Sequence, residues 1–439
     1  MTKHVFVIGL DDFHLRQLEG IRHAEDYAFH GLLPYGMVVH PESYPIDEMI
    51  ERGMREIEAS GVRPDAVIGH WDFPTTALRV VFRDALGLPG PSLEGILIAE
   101  HKYWSRLRQA RAIPEHVPAF QGLDPFDPDA ADRVELDYPF WIKPNIGFSS
   151  QMVYRVDGPE DLERALAGLR AGIRLFGEPF ERFTCRANLP SDIPTDIDAW
   201  HCTLEAPMDG WQCTVEGFIR HGQTVVYGVI DSIREGGVGS SFARYEFPSQ
   251  LPETVQERLV EITRRAVLSM DLDDTPFNIE YFWDQDTDRI GLLEVNTRIS
   301  KSHTPLFMDV AGASHHEVAI DLALGRRPAF PRWEGPHQVA IKFMLRHFHD
   351  AVVTRAPTDE EIRELEQAFP GSRIQVEVEE GMRLSEMRGQ EVYSYEVAVI
   401  FLGGASHDDV MSRYRDLLGR LPLTFRDLPD EPDRQGEAT

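Results

Sequence analysis

F-N-I-E-Y-F-W (277–283) and I-G-L-L-E-V-N (290–296) read as the two strands of a hairpin. Strand side chains alternate between faces, so Asn278, Glu280 and Phe282 share one face of the first run. By the same rule Ile290, Leu292, Glu294 and Asn296 share one face of the second. Pairing Asp284 with Ile290 leaves Gln285–Arg289 as the loop, five residues, an acceptable hairpin length. That register sets Glu280 opposite Glu294, with side chains about 5 Å apart. Two like charges facing each other destabilise a sheet, and a bound cation removes the conflict. Two carboxylates and the Asn296 amide offer oxygen ligands, a set that suits magnesium (Mg2+) or manganese (Mn2+). The competing reading has a different register and two solvated surface glutamates. On this pattern alone the two stand level.

Upstream, W-I-K-P-N-I-G-F-S-S-Q-M-V (141–153) sets Lys143 at a strand end, then a Gly/Ser turn, then another strand. Backbone N–H groups of such a turn, with the Ser149 and Ser150 hydroxyls, can wrap phosphate oxygens, and Lys143 can add a point charge. It is not a P-loop: there is no G-x-x-x-x-G-K-S/T, and a strand rather than a helix follows. Taken alone, the turn reads more readily as a plain hairpin.

The first hundred residues alternate strand and helix signals. Strands are expected at 4–9, 34–40 and 65–70, with helices over Ile46–Ala59 and Thr75–Leu86, the latter stopped by Gly87 and Pro89. This rhythm predicts a small parallel sheet with a ligand edge at the strand C-termini. Asp124–Asp129 reads as a proline-rich linker. Beyond it the pattern predicts strands at 139–143 and 151–156, a helix over Pro159–Leu175, a long loop over Arg182–Asp198, and three strands at 200–206, 211–220 and 224–231. Gly236–Ser241 reads as a loop, and helices are expected over Glu253–Met270 and Leu306–Leu324. A β-rich lobe follows to Phe425, with helices near Asp359–Ala368 and His407–Leu418, and then a polar tail expected to be disordered.

Composition narrows the function classes. Lys and Arg number 44 against 73 Asp and Glu, a formal net charge of −29. That charge repels nucleic acid backbones and anionic lipid surfaces, so neither is expected as a partner, while a nucleotide ligand needs only a local basic cluster. The three cysteines, Cys185, Cys202 and Cys213, are too few for a disulfide framework or a structural zinc site. No stretch reaches ~18 uninterrupted apolar residues, and the N-terminus lacks a signal-peptide pattern. The chain reads as reduced and cytoplasmic.

In this order and separation, the segments resemble the ATP-grasp superfamily. A-E-H-K-Y-W-S-R (99–106) resembles its first-lysine segment, I-K-P-N-I-G-F-S-S-Q-M-V its K-P-x-x-G-x-G-S-x-G-V loop, and L-E-A-P-M-D-G-W-Q-C-T-V-E-G (204–217) its interlobe hinge. The two hairpin runs resemble its magnesium strands. The resemblance implies an α/β (α+β) fold with an N-terminal βαβ domain (1–100), a small lobe with the phosphate flap (101–205) and a large lobe with the magnesium hairpin (206–334). A C-terminal lobe (335–425) and the disordered tail (426–439) complete it. It implies ATP as cofactor with Lys102 and Lys143 on its phosphates, Ser149 and Ser150 on the flap, Glu205 accepting from adenine, and Pro207 and Met208 lining the hinge. Glu280, Glu294 and Asn296 would hold magnesium, and Arg298 would stabilise the transferred phosphate or the carboxylate substrate. The sequence departs from the pattern where Ser149 and Met152 stand at positions usually Gly. Gln212 stands where a ribose-binding Glu is usual; it can still accept through its carbonyl oxygen.

E-V-N-T-R-I-S-K-S-H-T-P-L (294–306) also resembles biotin carboxylases, which place a Glu, the base for bicarbonate, where this chain has Ser302. The better match is to ATP-grasp amino-acid and peptide ligases, with Arg298, Lys301 and His303 as cationic candidates for a substrate carboxylate. The implied reaction joins a small-molecule carboxylate to an amine through an acyl phosphate and releases ADP and phosphate. A carboxylase and a non-catalytic nucleotide-binding protein are the alternatives, and a homodimer is left open.

Overall fold

The computed structural model describes residues 2–39, 41–148, 151–235, 241–387 and 394–428. Strands β1 (Lys3–Ile8), β2 (Tyr27–Leu32) and β3 (Ala66–Ile68) form a parallel sheet in the order β2-β1-β3. Among the described residues of the strand expected at 34–40, Tyr35–Val38 makes one helical turn, and the strand that pairs with β1 lies just upstream, at Tyr27–Leu32, with Phe29 opposite Val5. Helix Thr75–Leu86 ends as expected, at Gly87 with φ +67°, a conformation that favours glycine. Helix Ile46–Ser60 has the expected start.

Next come β4 (Phe120–Leu123), β5 (Phe140–Pro144), β6 (Tyr154–Val156) and β7 (Cys202–Glu205), in one sheet of order β4-β7-β5-β6. The proline-rich Asp124–Asp129 segment leaves β4 as a connection inside this sheet. The 159–175 helix is two, Pro159–Gly172 and Arg174–Thr184, the second reaching into the expected loop. Both helices bury apolar faces, Leu162, Leu166 and Leu169 against this sheet and Phe176, Phe180 and Phe183 in the larger core.

Strands β8 (Trp211–Arg220), β9 (Gln223–Glu235), β10 (Ser241–Phe247), β11 (Thr275–Asp284) and β12 (Arg289–Asn296) precede β13 (Val339–His347), β14 (Ala351–Arg355), β15 (Ser372–Val376), β16 (Tyr395–Gly404) and β17 (Thr424–Asp427). An eight-stranded sheet runs β12-β11-β8-β9-β10-β13-β16-β15, so the β10–β13 pairing carries one sheet across the boundary drawn at 335. Arg426 and Asp427, assigned to the tail, belong to β17, which pairs with β14; 429–439 lie outside the described residues. The expected Leu306–Leu324 helix is broken into Thr304–Val310 and His316–Ala323. Between them Gly312 has φ +85°, and a Cβ there would meet the Glu334 backbone at 2.8 Å. All three cysteines are free thiols, Cys202 and Cys213 buried. Among the described residues no helix is long and apolar enough to cross a membrane.

Candidate active site

The hairpin sets Glu280 opposite Glu294 and Asn278 opposite Asn296. The route to that register differs from the sequence reading. Asp284 pairs with Arg289, one residue earlier than Ile290, and a bulge on the far side of the turn skips Leu293 and restores the Glu280–Glu294 pairing. Alternation therefore breaks at Leu293: Ile290, Leu292 and Val295 are all buried in the core, while Glu294 meets Lys102. A bulge disrupts the ladder, and its carbonyls need donors. The buried Arg106 guanidinium supplies them, donating to the Leu292 oxygen at 2.9 Å and the Leu293 oxygen at 2.6 Å.

Arg106 and Lys102 share helix Lys102–Ala112, four residues apart and so on one face. The His101 ring caps the helix, accepting from the Trp104 amide and stacking on its indole, which fixes Lys102 at the first turn. Lys102 Nζ lies 3.1 Å from Glu294 Oε1 and donates to the Gly147 carbonyl at 2.6 Å, joining the hairpin to the turn that follows β5. Lys143, at the end of β5, is buried and sits 2.8 Å from Glu205. Arg106 Nε donates to the other Glu205 oxygen at 2.8 Å. Burial works to raise the Glu205 carboxyl, but the charges of Arg106 and Lys143 prevail and bring it down to about 2. Glu205, expected to accept from adenine, has both oxygens in contact with cations, Arg106 and Lys143.

The facing glutamates are driven apart. Burial and the Glu294 charge push Glu280 up to about 7. Burial also acts to raise Glu294, yet Lys102 and Lys143 hold it below the ordinary carboxylate range. A divalent cation between them would lower both, so this oxygen-donor set fits magnesium. Asn296 completes it, its amide nitrogen 3.3 Å from the Asn278 oxygen.

Beside the hairpin lies a cavity of about 310 Å³, walled by Trp71, Asp72, Phe148, Glu280, Arg298 and Lys301 among others. Arg298 Nε donates to Asp72 Oδ1 at 2.6 Å, and Lys301 Nζ stands 3.7 Å from the centre of the Trp71 ring. Burial brings Lys301 down to about 8. His303 is a buried ring at the cavity wall, its Nδ1 2.9 Å from Glu216 Oε1.

The Gln212 amide donates to Glu280 at 3.0 Å and accepts from Arg234 at 3.0 Å, because β8 lies beside β11. Pro207 and Met208 are half-buried beyond β7, and a Cβ on Gly291 would meet Met208 Sδ at 2.6 Å. Met152 has φ +54°, so it keeps the left-handed backbone that the usual glycine would supply. Ser149 and Ser150 lie outside the described residues, as does 236–240 of the loop at Gly236–Ser241. Sequence reasoning missed Trp71, Asp72, Arg106 and Glu216. Only Arg106 carried a local signal, its helical spacing from Lys102.

Residues 136–305 match the model of the ATP-grasp domain. The fold is similar to that of L-amino acid ligase from Bacillus licheniformis, with a TM-score of 0.71 at 18% identity over 97% of this chain and 99% of that one. It is also similar to carboxyaminoimidazole ribonucleotide synthase from Aspergillus clavatus complexed with ATP (TM-score 0.65, 15% identity, 95% of this chain and 98% of that one). A third likeness is to biotin carboxylase from Campylobacter jejuni (TM-score 0.63, 15% identity, 96% and 92%). The chain thus carries an ATP-grasp domain at residues 136–305, in a fold similar to that of these three enzymes.

Proposed function

We propose that this chain is an ATP-dependent ligase that joins a small-molecule carboxylate to an amine through an acyl phosphate, releasing ADP and phosphate. The observation that carries the reading is the position of the Glu280–Glu294 pair. Lys102 and Lys143 stand by Glu294, and Glu280 lines the cavity that also holds Arg298 and Lys301. Lys102 and Lys143 would hold ATP phosphates, and Glu280, Glu294 and Asn296 would hold magnesium. When bound, the metal supplies charge neutralisation on the transferred phosphoryl group. Arg298, oriented by Asp72, and Lys301, braced on Trp71, would draw the substrate carboxylate toward the γ-phosphate. Positioning and electrostatics supply most of the catalysis in such a transfer.

Bicarbonate is disfavoured as the acid. Ser302 has no accessible basic form near neutral pH, and its Oγ accepts from Lys342 Nζ at 3.3 Å. Free thiols and the absence of a membrane-spanning helix among the described residues are compatible with a cytoplasmic setting, which belongs to the same reading.

The test is phosphate release with ATP and MgCl2, challenged with pools of amino acids and then with bicarbonate plus biotin, followed by mass spectrometry. ADP, phosphate and a new amide are expected. Pyrophosphate would overturn the mechanism, and brisk bicarbonate- and biotin-dependent ADP formation would move the chain to the carboxylase reading.

A further inference from the structure

An amine that attacks an acyl phosphate must first lose a proton, because an ammonium has no lone pair. Several titratable groups line or adjoin the cavity, and most are committed elsewhere. Asp72 is paired with Arg298, and Glu280 belongs to the metal set. Both His70 ring nitrogens are sealed from solvent. Glu216 is wholly buried. His303 differs. It lines the cavity, and its Nδ1 faces Glu216 Oε1 at 2.9 Å. A carboxylate at that distance selects the tautomer with hydrogen on Nδ1, which leaves the Nε2 lone pair for the cavity.

Glu216 is built to stay ionised. Burial opposes its charge, but the hydrogen bonds from His303 and Asn278 help hold its carboxyl below the usual range. Its Oε1 also accepts from Asn278 Nδ2 at 2.8 Å and from the Ser300 amide at 3.2 Å. Asn278 in turn faces Asn296, so one carboxylate fixes both His303 and the metal strand. The remaining neighbours of His303 are the Tyr245 ring, edge-on at 5.0 Å, the His315 ring, and the cations Arg298, Lys301 and Lys342.

We propose that His303 is the proton acceptor for the incoming amine, with Glu216 as its positioning residue. This rests on the ligase reading above. The ammonium gives one proton to His303 Nε2. The freed nitrogen lone pair forms the C–N bond at the acyl carbon, and the C–O bond to phosphate breaks with its electron pair on oxygen. The second nitrogen proton goes to the departing phosphate, and His303 returns its proton to solvent.

The experiment compares two nucleophiles with the wild type, His303→Asn and Glu216→Gln, using ATP, MgCl2 and pooled amino acids as acids. Amide formation with the amino acids themselves needs a base. Hydroxamate formation with hydroxylamine does not, because hydroxylamine is already unprotonated at neutral pH. In His303→Asn, amide formation should fall about 10²–10⁴-fold while hydroxamate formation stays close to wild type. The deficit should shrink as pH rises toward the amine's own range. Glu216→Gln retains an acceptor oxygen but no charge, and should show the same selective loss to a smaller degree. An equal loss with both nucleophiles at every pH, or no loss with the amino acids, would overturn the role of His303 while leaving the ligase reading intact. Absence of both products in the wild type would remove the ligase reading and this proposal together. Melting of each variant accompanies the assay. If His303→Asn does not fold, Glu216→Gln decides: a selective amine defect supports the dyad, and a uniform one refutes it.

Discussion

Replacing Glu280 by Gln should stabilise the metal-free protein at alkaline pH. The variant keeps an acceptor for the Gln212 amide, now 3.0 Å from Glu280, and removes one of two facing charges. The Glu280 carboxyl is raised from 4.5 to about 7. At 1.36 kcal/mol per unit, that shift corresponds to roughly 3 kcal/mol held against the ionised form, an upper bound because the half-buried side chain is partly screened. The folded state binds this proton more tightly than the unfolded state. The stability is therefore fully present below about 4.5 and is lost as pH rises through about 7. Wild type and Glu280→Gln should unfold alike at pH ~4, and at pH ~8 in EDTA the variant should be more stable by up to about 3 kcal/mol. Magnesium should then reverse the order, because a ligand stabilises only the form that binds it. The assay is urea unfolding at both pH values, with EDTA and with MgCl2. A variant less stable than wild type at pH ~8 in EDTA, or one that gains from magnesium as much as wild type does, would refute the reasoning.

Glu294→Gln should cut ADP formation by about 10²-fold or more while the melting temperature stays near wild type, since an amide cannot replace a charged ligand at the phosphates. Activity with unchanged magnesium dependence would remove Glu294 from the metal set. Arg106→Met leaves Glu205 with Lys143 alone and strips donors from the Leu292 and Leu293 carbonyls. It should lower the unfolding free energy by about 3–5 kcal/mol and raise the KM for MgATP; a silent variant would mean that the bulge holds without it. Burial lowers His315 and His316 to about 3 from 6.5, so the stability they permit above pH 6.5 is lost as pH falls toward 3. At pH 5 that is roughly 2 kcal/mol per ring, and His316→Phe should lessen the acid-induced fall in melting temperature; parallel pH profiles for variant and wild type would count against it.

The hairpin was legible because its logic is local. Alternation within two short runs separated by a turn sets which side chains can face each other, and Glu280 does face Glu294. The same locality explains why the derivation needed two compensating errors, a turn one residue too long and an unseen bulge. Nothing in I-G-L-L-E-V-N marks Leu293 as the extra residue. The donor that holds its carbonyl is Arg106, nearly two hundred positions earlier. The strand expected at 34–40 failed for a related reason: apolar content alone did not distinguish it from Tyr27–Leu32, and pairing with β1 decided between them.

The sequence by itself determined the helix ends at Gly87 and Leu418, the facing glutamates and the ordered lysines, since periodicity, capping and spacing act over a few residues. Tertiary structure alone decided the partners. Arg298 is tied to Asp72 across 226 positions, Lys301 rests on Trp71, Glu205 holds Arg106 and Lys143, and His303 is turned by Glu216. The physical reason is that a buried charge takes whichever opposite charge the packed elements bring within hydrogen-bonding distance. That distance depends on how sheets and helices assemble in space, which no local pattern records.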